Sequence, residues 1–160
     1  MDTRSEVLLG QLHPALVTKV RLMDVRFQAA HQGDRLLVIQ GLRDFAHQAA
    51  LYAQGRTAPG AIVTEAPAGH SWHEFALAAD LVPQSLEAVS GWSPASPLWL
   101  EIAQLAATVG LVSGSCWHHQ DLPHVQAPGR FPVSPDDEVR EIYEAGGIAA
   151  VWASSGLPNA

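Results

Sequence analysis

Apolar positions along this chain change their spacing from one stretch to the next, and the changes mark its elements. Between residues 5 and 32 they recur at helical intervals, as at Val7, Leu8, Leu12, Val17, Val20 and Phe27, interrupted by Pro14. The spacing predicts a short helix and then a longer one from about Pro14 to Ala30, since proline suits a first helical position and not an interior one. "HQGD" reads as a turn, and the apolar run of "RLLVIQG" predicts a buried strand over Leu36–Gln40. "DFAHQAALYAQG" predicts a helix with Asp44 as its N-cap and Gly55 at its C-terminal end. The Gly-, Pro- and Thr-rich stretch from "GRTAPG" to "PAGHS" is a loop. "LAADLV" then predicts a strand ending at Pro83, and residues 84–97 read as a connector. "LWLEIAQLAATVG" is an amphipathic helix stopped by Gly110, and "LVSGSCWHHQDLPHVQ" carries a histidine cluster on irregular or strand-like backbone. In "SPDDEV" Ser134 is expected to cap a terminal helix with Pro135 at its first position and acids in its first turn. Helices and short strands mix without strict βαβ alternation, which predicts an α+β domain, and no internal repeat is visible.

Composition narrows the function classes. The 160 residues suffice for one domain with a sizeable core, and 48% apolar with 16% charged residues is a globular composition. A net charge of −7 with nine Lys and Arg and no basic run argues against a nucleic-acid partner and against attraction to anionic surfaces. The single cysteine, Cys116, excludes an intrachain disulfide framework and a cysteine-built zinc finger. "MDTRSEVLLGQLHPALV" lacks the layout of a signal peptide, and no stretch approaches the roughly 18 apolar residues of a membrane span. Synthesis in the cytoplasm without membrane insertion is expected.

Chemistry concentrates in "HSWHEFALAADL", residues 70–81. On a continuous helix His73 and Asp80 would lie two turns apart, about 10.5 Å along the axis, too far for two short side chains to share an ion. The pattern H-E-x-x-H also fails, because Leu77 stands where its second histidine belongs. The pair can share a metal if His73 leaves a loop, the chain turns, and Asp80 projects from the following strand. "DLPH" offers a third ligand, His124, with Asp121 three residues earlier and Pro123 holding the segment out of helix. Such a set leaves a fourth position on zinc for water, and Asp121 is placed to take that water's proton. Read apart, the same residues are ordinary: His73 caps a loop and Asp80 ends a strand. His118 and His119 read as surface residues, and Trp72, Phe75 and Trp117 as core.

The surrounding sequence decides between these readings. "GLR" at 41–43, Gln48, "LYAQGRTAPGAIVT" at 51–64 and "SWHEFALAAD" at 71–80 resemble the peptidoglycan L-alanyl-D-glutamate peptidases of phage endolysins and wall-remodelling enzymes. These belong to the wider superfamily of zinc D-alanyl-D-alanine carboxypeptidases and Hedgehog-like domains. "VGL" at 109–111, Trp117 and "DLPH" at 121–124 continue the resemblance, which spans roughly residues 12–126. It implies a small, mostly antiparallel sheet flanked by helices. The domain is expected over residues 1–133, and residues 134–160, outside the resemblance, are expected to form a helical extension packed on the same domain or serving as a small interaction element. The resemblance implies one Zn2+ held by His73, Asp80 and His124, with Asp121 as the acid/base carboxylate. Arg43 matches the arginine facing the substrate carbonyl or carboxylate, and Gln48 and Ser71 match positions lining the site. Ala76 departs from the family's H-x-x-G, and "LVSGSCW" lacks one tryptophan and one glycine of the family's loop.

The function implied is hydrolysis of an amide bond in the peptidoglycan stem peptide, between L-alanine and D-glutamate, by a monomer that meets the wall after release, as a phage lysis enzyme does. Two rivals stand beside it. One is a D,D- or L,D-carboxypeptidase on the same fold, with Arg43, Arg56 or Arg130 taking the terminal carboxylate. The other is a module that keeps zinc without turnover.

Overall fold

A computed structural model describes residues 1–88 and 92–158. Its elements run α1 (Thr3–Leu9), α2 (Pro14–Ala30), β1 (Leu36–Gln40), α3 (Phe45–Ala53), a 3-10 turn (Trp72–Phe75), β2 (Ala78–Pro83), α4 (Gln84–Glu87), α5 (Leu98–Thr108), β3 (Val112–Ser113), a second 3-10 turn (Gly114–Cys116), β4 (His124–Gln126) and α6 (Asp137–Ser154). The sheet is antiparallel throughout, in the order β1-β2-β4-β3. This is an α+β fold.

Strand alternation sorts the sheet into two faces. Leu36, Val38, Ala79, Leu81 and Val125 point into the main core, where they meet Leu16, Val20, Met23 and Phe27 of α2 and Trp99, Ile102 and Ala106 of α5. The opposite face carries Ala78 and Asp80 of β2 and His124 and Gln126 of β4. In the β2–β4 register Ala78 pairs with Gln126 and Asp80 with His124. A bulge between Val38 and Gln40 brings Gln40 opposite Asp80 on the other side. A second core on this face joins Trp72, Phe75, Leu77 and Ala78 to Phe131 and to Val139 and Val151 of α6.

Helix starts follow local chemistry. Pro14 opens α2 and Asp44 caps α3 through its carboxylate, as their positions predict. His13 caps α2, its Nδ1 accepting from Ala15 N at 3.1 Å. The start of α6 differs from expectation. Asp136, not Ser134, is the N-cap, accepting from Val139 N at 3.2 Å. Pro135 lies before the helix, where its carbonyl accepts from the Arg140 guanidinium at 3.2 Å. A carboxylate stabilises the helix N-terminus through both hydrogen bond and charge, so it outcompetes the serine two residues earlier. Gly147, at φ 69° and ψ −165°, breaks α6 near its middle. Residues 84–87, expected to be connector, form a single helical turn. Residues 89–91 of that stretch lie outside the described residues.

Candidate metal centre and cleft

The segment carrying His73 is built as a sharp reversal. Trp72–Phe75 make one 3-10 turn, and Ala76, at φ 57° and ψ 31°, swings the chain into β2. The left-handed residue is what brings Asp80 back towards His73. Glu74, buried within the turn, accepts from Gly69 N with both oxygens at 2.9 Å and from Ser71 N at 3.1 Å. Burial pushes its carboxyl up, and those hydrogen bonds only partly offset the shift.

His73, Asp80 and His124 present one ligand atom each within 4.8 Å of one another, and among the described residues they are the one such group. His73 Nε2 lies 3.2 Å from Asp80 Oδ1 and 3.2 Å from His124 Nδ1. His124 Nδ1 is 3.3 Å from Asp80 Oδ1. Each imidazole is held from its far side: His73 Nδ1 donates to Gly41 O at 2.8 Å and His124 Nε2 to Gln126 Oε1 at 2.9 Å. With those nitrogens protonated, two lone pairs and a carboxylate converge on one point. Only a cation relieves that arrangement without a proton, and two imidazoles plus one carboxylate suit zinc with a position left open. The donor set therefore fits the ion.

Electrostatics follow from the same geometry. Where protons rather than an ion sit on the nitrogens facing Asp80, burial opposes the Asp80 carboxylate, but the charge of His73 and hydrogen bonds from His124 and His73 outweigh it and hold Asp80 well below the usual carboxylate range. Burial likewise opposes the His124 imidazolium, yet its hydrogen bond to Asp80 raises it on balance. Asp121 is pushed up, first by loss of water on the side facing the site and then by the negative charge of Asp80. Its side chain stays half exposed, with Oδ2 at 4.0 Å from His124 Nδ1.

The turn from Asp121 to His124 rests on Gly114. A Cβ there would stand 2.7 Å from Asp121 O and 3.0 Å from the Cβ atoms of Asp121 and His124, so only glycine lets the two segments touch. Gly114 N–H is not the tie; its carbonyl is, accepting from Asp121 N at 3.1 Å. Nothing in the spacing of the sequence singled out Gly114.

The site opens into a cleft of about 980 Å3. Six of the chain's eight histidines line it: His47, His70, His73, His118, His119 and His124. Arg43 and Ser71 line it too. Arg43 donates to Gln48 Oε1 at 2.7 Å, and nothing among the described residues accepts from its buried Nε. Gln48 is fully buried, and its amide nitrogen donates to Ala66 O at 2.7 Å. Both ends of that amide are thus engaged by protein, and it is absent from the cleft wall.

A family model described as D-alanyl-D-alanine carboxypeptidase (VanY) matches residues 11–121. That stretch includes His73, Asp80 and Asp121 and stops short of His124. The chain is 33% identical over 125 residues to peptidoglycan L-alanyl-D-glutamate endopeptidase CwlK of Bacillus subtilis (strain 168), covering 73% of this chain and 74% of that one. Its fold is similar to the crystal structure of the L-Ala D-Glu endopeptidase ChiX of Serratia marcescens, with a TM-score of 0.52 and 25% identity, over 79% of this chain and 87% of that one.

Proposed function

Since the chain belongs to the D-alanyl-D-alanine carboxypeptidase (VanY) family, we propose that it is a zinc-dependent peptidoglycan endopeptidase hydrolysing the amide bond between L-alanine and D-glutamate of the stem peptide. It is a hydrolase of wall peptides, as its relatives are by name. The observation that supports the mechanism is the convergence of His73 Nε2, Asp80 Oδ1 and His124 Nδ1, with Asp121 beside them, at the wall of a peptide-sized cleft.

His73, Asp80 and His124 would hold the ion. When bound, zinc supplies Lewis acidity that polarises an amide carbonyl and lowers the pKa of water. The remaining work belongs to side chains. Asp121 takes the proton of the attacking water on its carboxylate and passes it to the leaving nitrogen of D-glutamate as the C–N bond breaks. A carboxyl with a raised proton affinity suits both halves of that exchange. Arg43 donates hydrogen bonds to the oxygen on which charge develops. Gln48 supports this from behind, steering the guanidinium rather than touching substrate. Ser71 lines the cleft beside the 3-10 turn.

The test is digestion of purified peptidoglycan by the metal-loaded protein, with and without chelator, and by Asp121→Ala. Chelator-sensitive appearance of new D-glutamate amino termini by mass spectrometry is expected, and loss of about 10²–10⁴-fold in rate for the variant with metal retained. Release of terminal D-alanine instead would replace the endopeptidase with a carboxypeptidase. No cleavage by folded, loaded protein would leave a binding module.

A further inference from the structure

The geometry points to Gln126 as a positioning residue that dictates which nitrogen of His124 faces the metal centre, with the Val133 carbonyl as its fixed reference. The argument starts at that carbonyl. Val133 O accepts two hydrogen bonds, from Trp72 Nε1 at 2.8 Å and from Gln126 Nε2 at 2.7 Å. A backbone carbonyl can only accept, so the Gln126 amide must turn its NH2 towards Val133 and its oxygen towards His124. An amide oxygen can only accept as well. His124 Nε2, 2.9 Å from it, must therefore carry the ring proton, which leaves the Nδ1 lone pair facing His73 and Asp80.

Reversing the amide would set two acceptors against each other at Val133. Gln126 is 1% exposed, so no water is at hand to relieve that clash. The alternation of β4 puts His124 and Gln126 on one face, two residues apart, which keeps this contact local and short. The same carbonyl anchors Trp72, the neighbour of His73. One backbone atom thus ties the surroundings of two ligands from distant parts of the chain.

This inference rests on the reading of the site as a metal centre, and the experiment separates the two. Metal affinity is measured by competition with a chromophoric chelator, and ligand geometry by the visible absorption of the Co2+-substituted protein. The proteins compared are wild type, Gln126→Leu, Gln126→Glu and His73→Ala. Gln126→Leu is expected to bind about 10–100-fold more weakly, with an altered Co2+ spectrum. Gln126→Glu keeps an acceptor for His124 and, with the proton on its oxygen facing Val133, a donor for that carbonyl, and is expected to hold the metal within a few-fold of wild type. Thermal melts of the metal-free proteins show whether the variants are folded. If Gln126→Leu does not fold, Gln126→Glu decides: affinity lost to the level expected for leucine overturns the role, because the acceptor is then irrelevant. An unchanged affinity and spectrum in folded Gln126→Leu also overturns it. If His73→Ala binds like wild type, the metal centre itself is misassigned, which is a different failure.

Discussion

Ala76 holds a left-handed conformation while fully buried, at the point where the chain turns from His73 towards Asp80. Its backbone is fully used: the amide donates to His73 O at 3.2 Å and the carbonyl accepts from His13 N at 3.0 Å. Left-handed backbone costs a residue with a Cβ about 1–2 kcal/mol, and the family's glycine at this place avoids that cost. The methyl is in the core, where its burial returns about 0.8 kcal/mol. Ala76→Gly is therefore expected to change stability by less than about 1 kcal/mol in urea unfolding. Ala76→Val, β-branched and larger in a filled core, is expected to lose about 2 kcal/mol or more. A valine variant as stable as wild type would show that this turn is not strained. From residue identities the departure from glycine was visible, but the sign of φ was not, since that depends on how the turn meets the sheet.

Elements with a local cause were legible in the sequence. Pro14, Asp44 and the apolar run over Leu36–Gln40 each mark an element that the structure contains. Elements whose cause is distant were not. β3 has two residues and exists because β4 runs beside it. The cap of α6 moved to Asp136 because adjacent Ser, Pro and Asp offer competing starts. His13 was not seen as a cap at all, since histidine is an uncommon one. It is fully buried, its Nε2 finds no acceptor among the described residues, and its ring meets Trp152 of α6 edge-on at 4.9 Å. Burial lowers its pKa below 6.5, so the unfolded chain binds its proton more readily than the folded one. The stability contributed by neutral His13 is then complete above pH 6.5 and is lost as pH falls below 6.5 towards the folded value. In metal-free protein, urea unfolding between pH 7.5 and 5.5 should show a steeper fall for wild type than for His13→Asn, which caps without titrating. Equal slopes would mean that His13 accepts a proton without harm.

At the scale of the whole molecule, both halves of the candidate site could be read along the chain, yet their meeting could not. His73-x6-Asp80 and Asp121-x2-His124 are motifs of sequence; the pairing of Asp80 with His124 is a fact of sheet register. So is the Gln126–Val133 contact, which joins positions that no local pattern connects. The C-terminal segment enters the same economy of contacts. Val139 and Val151 are fully buried against Trp72, Phe75 and Leu77, and Trp152 Nε1 donates to Phe75 O at 2.9 Å. Each such buried side chain contributes about 1.5–3 kcal/mol, against a total stability of about 5–15 kcal/mol for a domain. Ending the chain after Val133 should therefore lower the thermal midpoint steeply or leave insoluble protein, as circular dichroism melts will show; an unshifted midpoint would mean that residues 134–160 are dispensable. The cross-strand meeting of Asp80 and His124 also sets an order of events during synthesis. A growing chain that has not yet released β4 from the ribosome has two of the three candidate ligands, and closing the long loop between them waits on the central strands of the sheet. On the proposed reading of the site, ion capture would follow the pairing of β2 with β4 and would be a late step of synthesis.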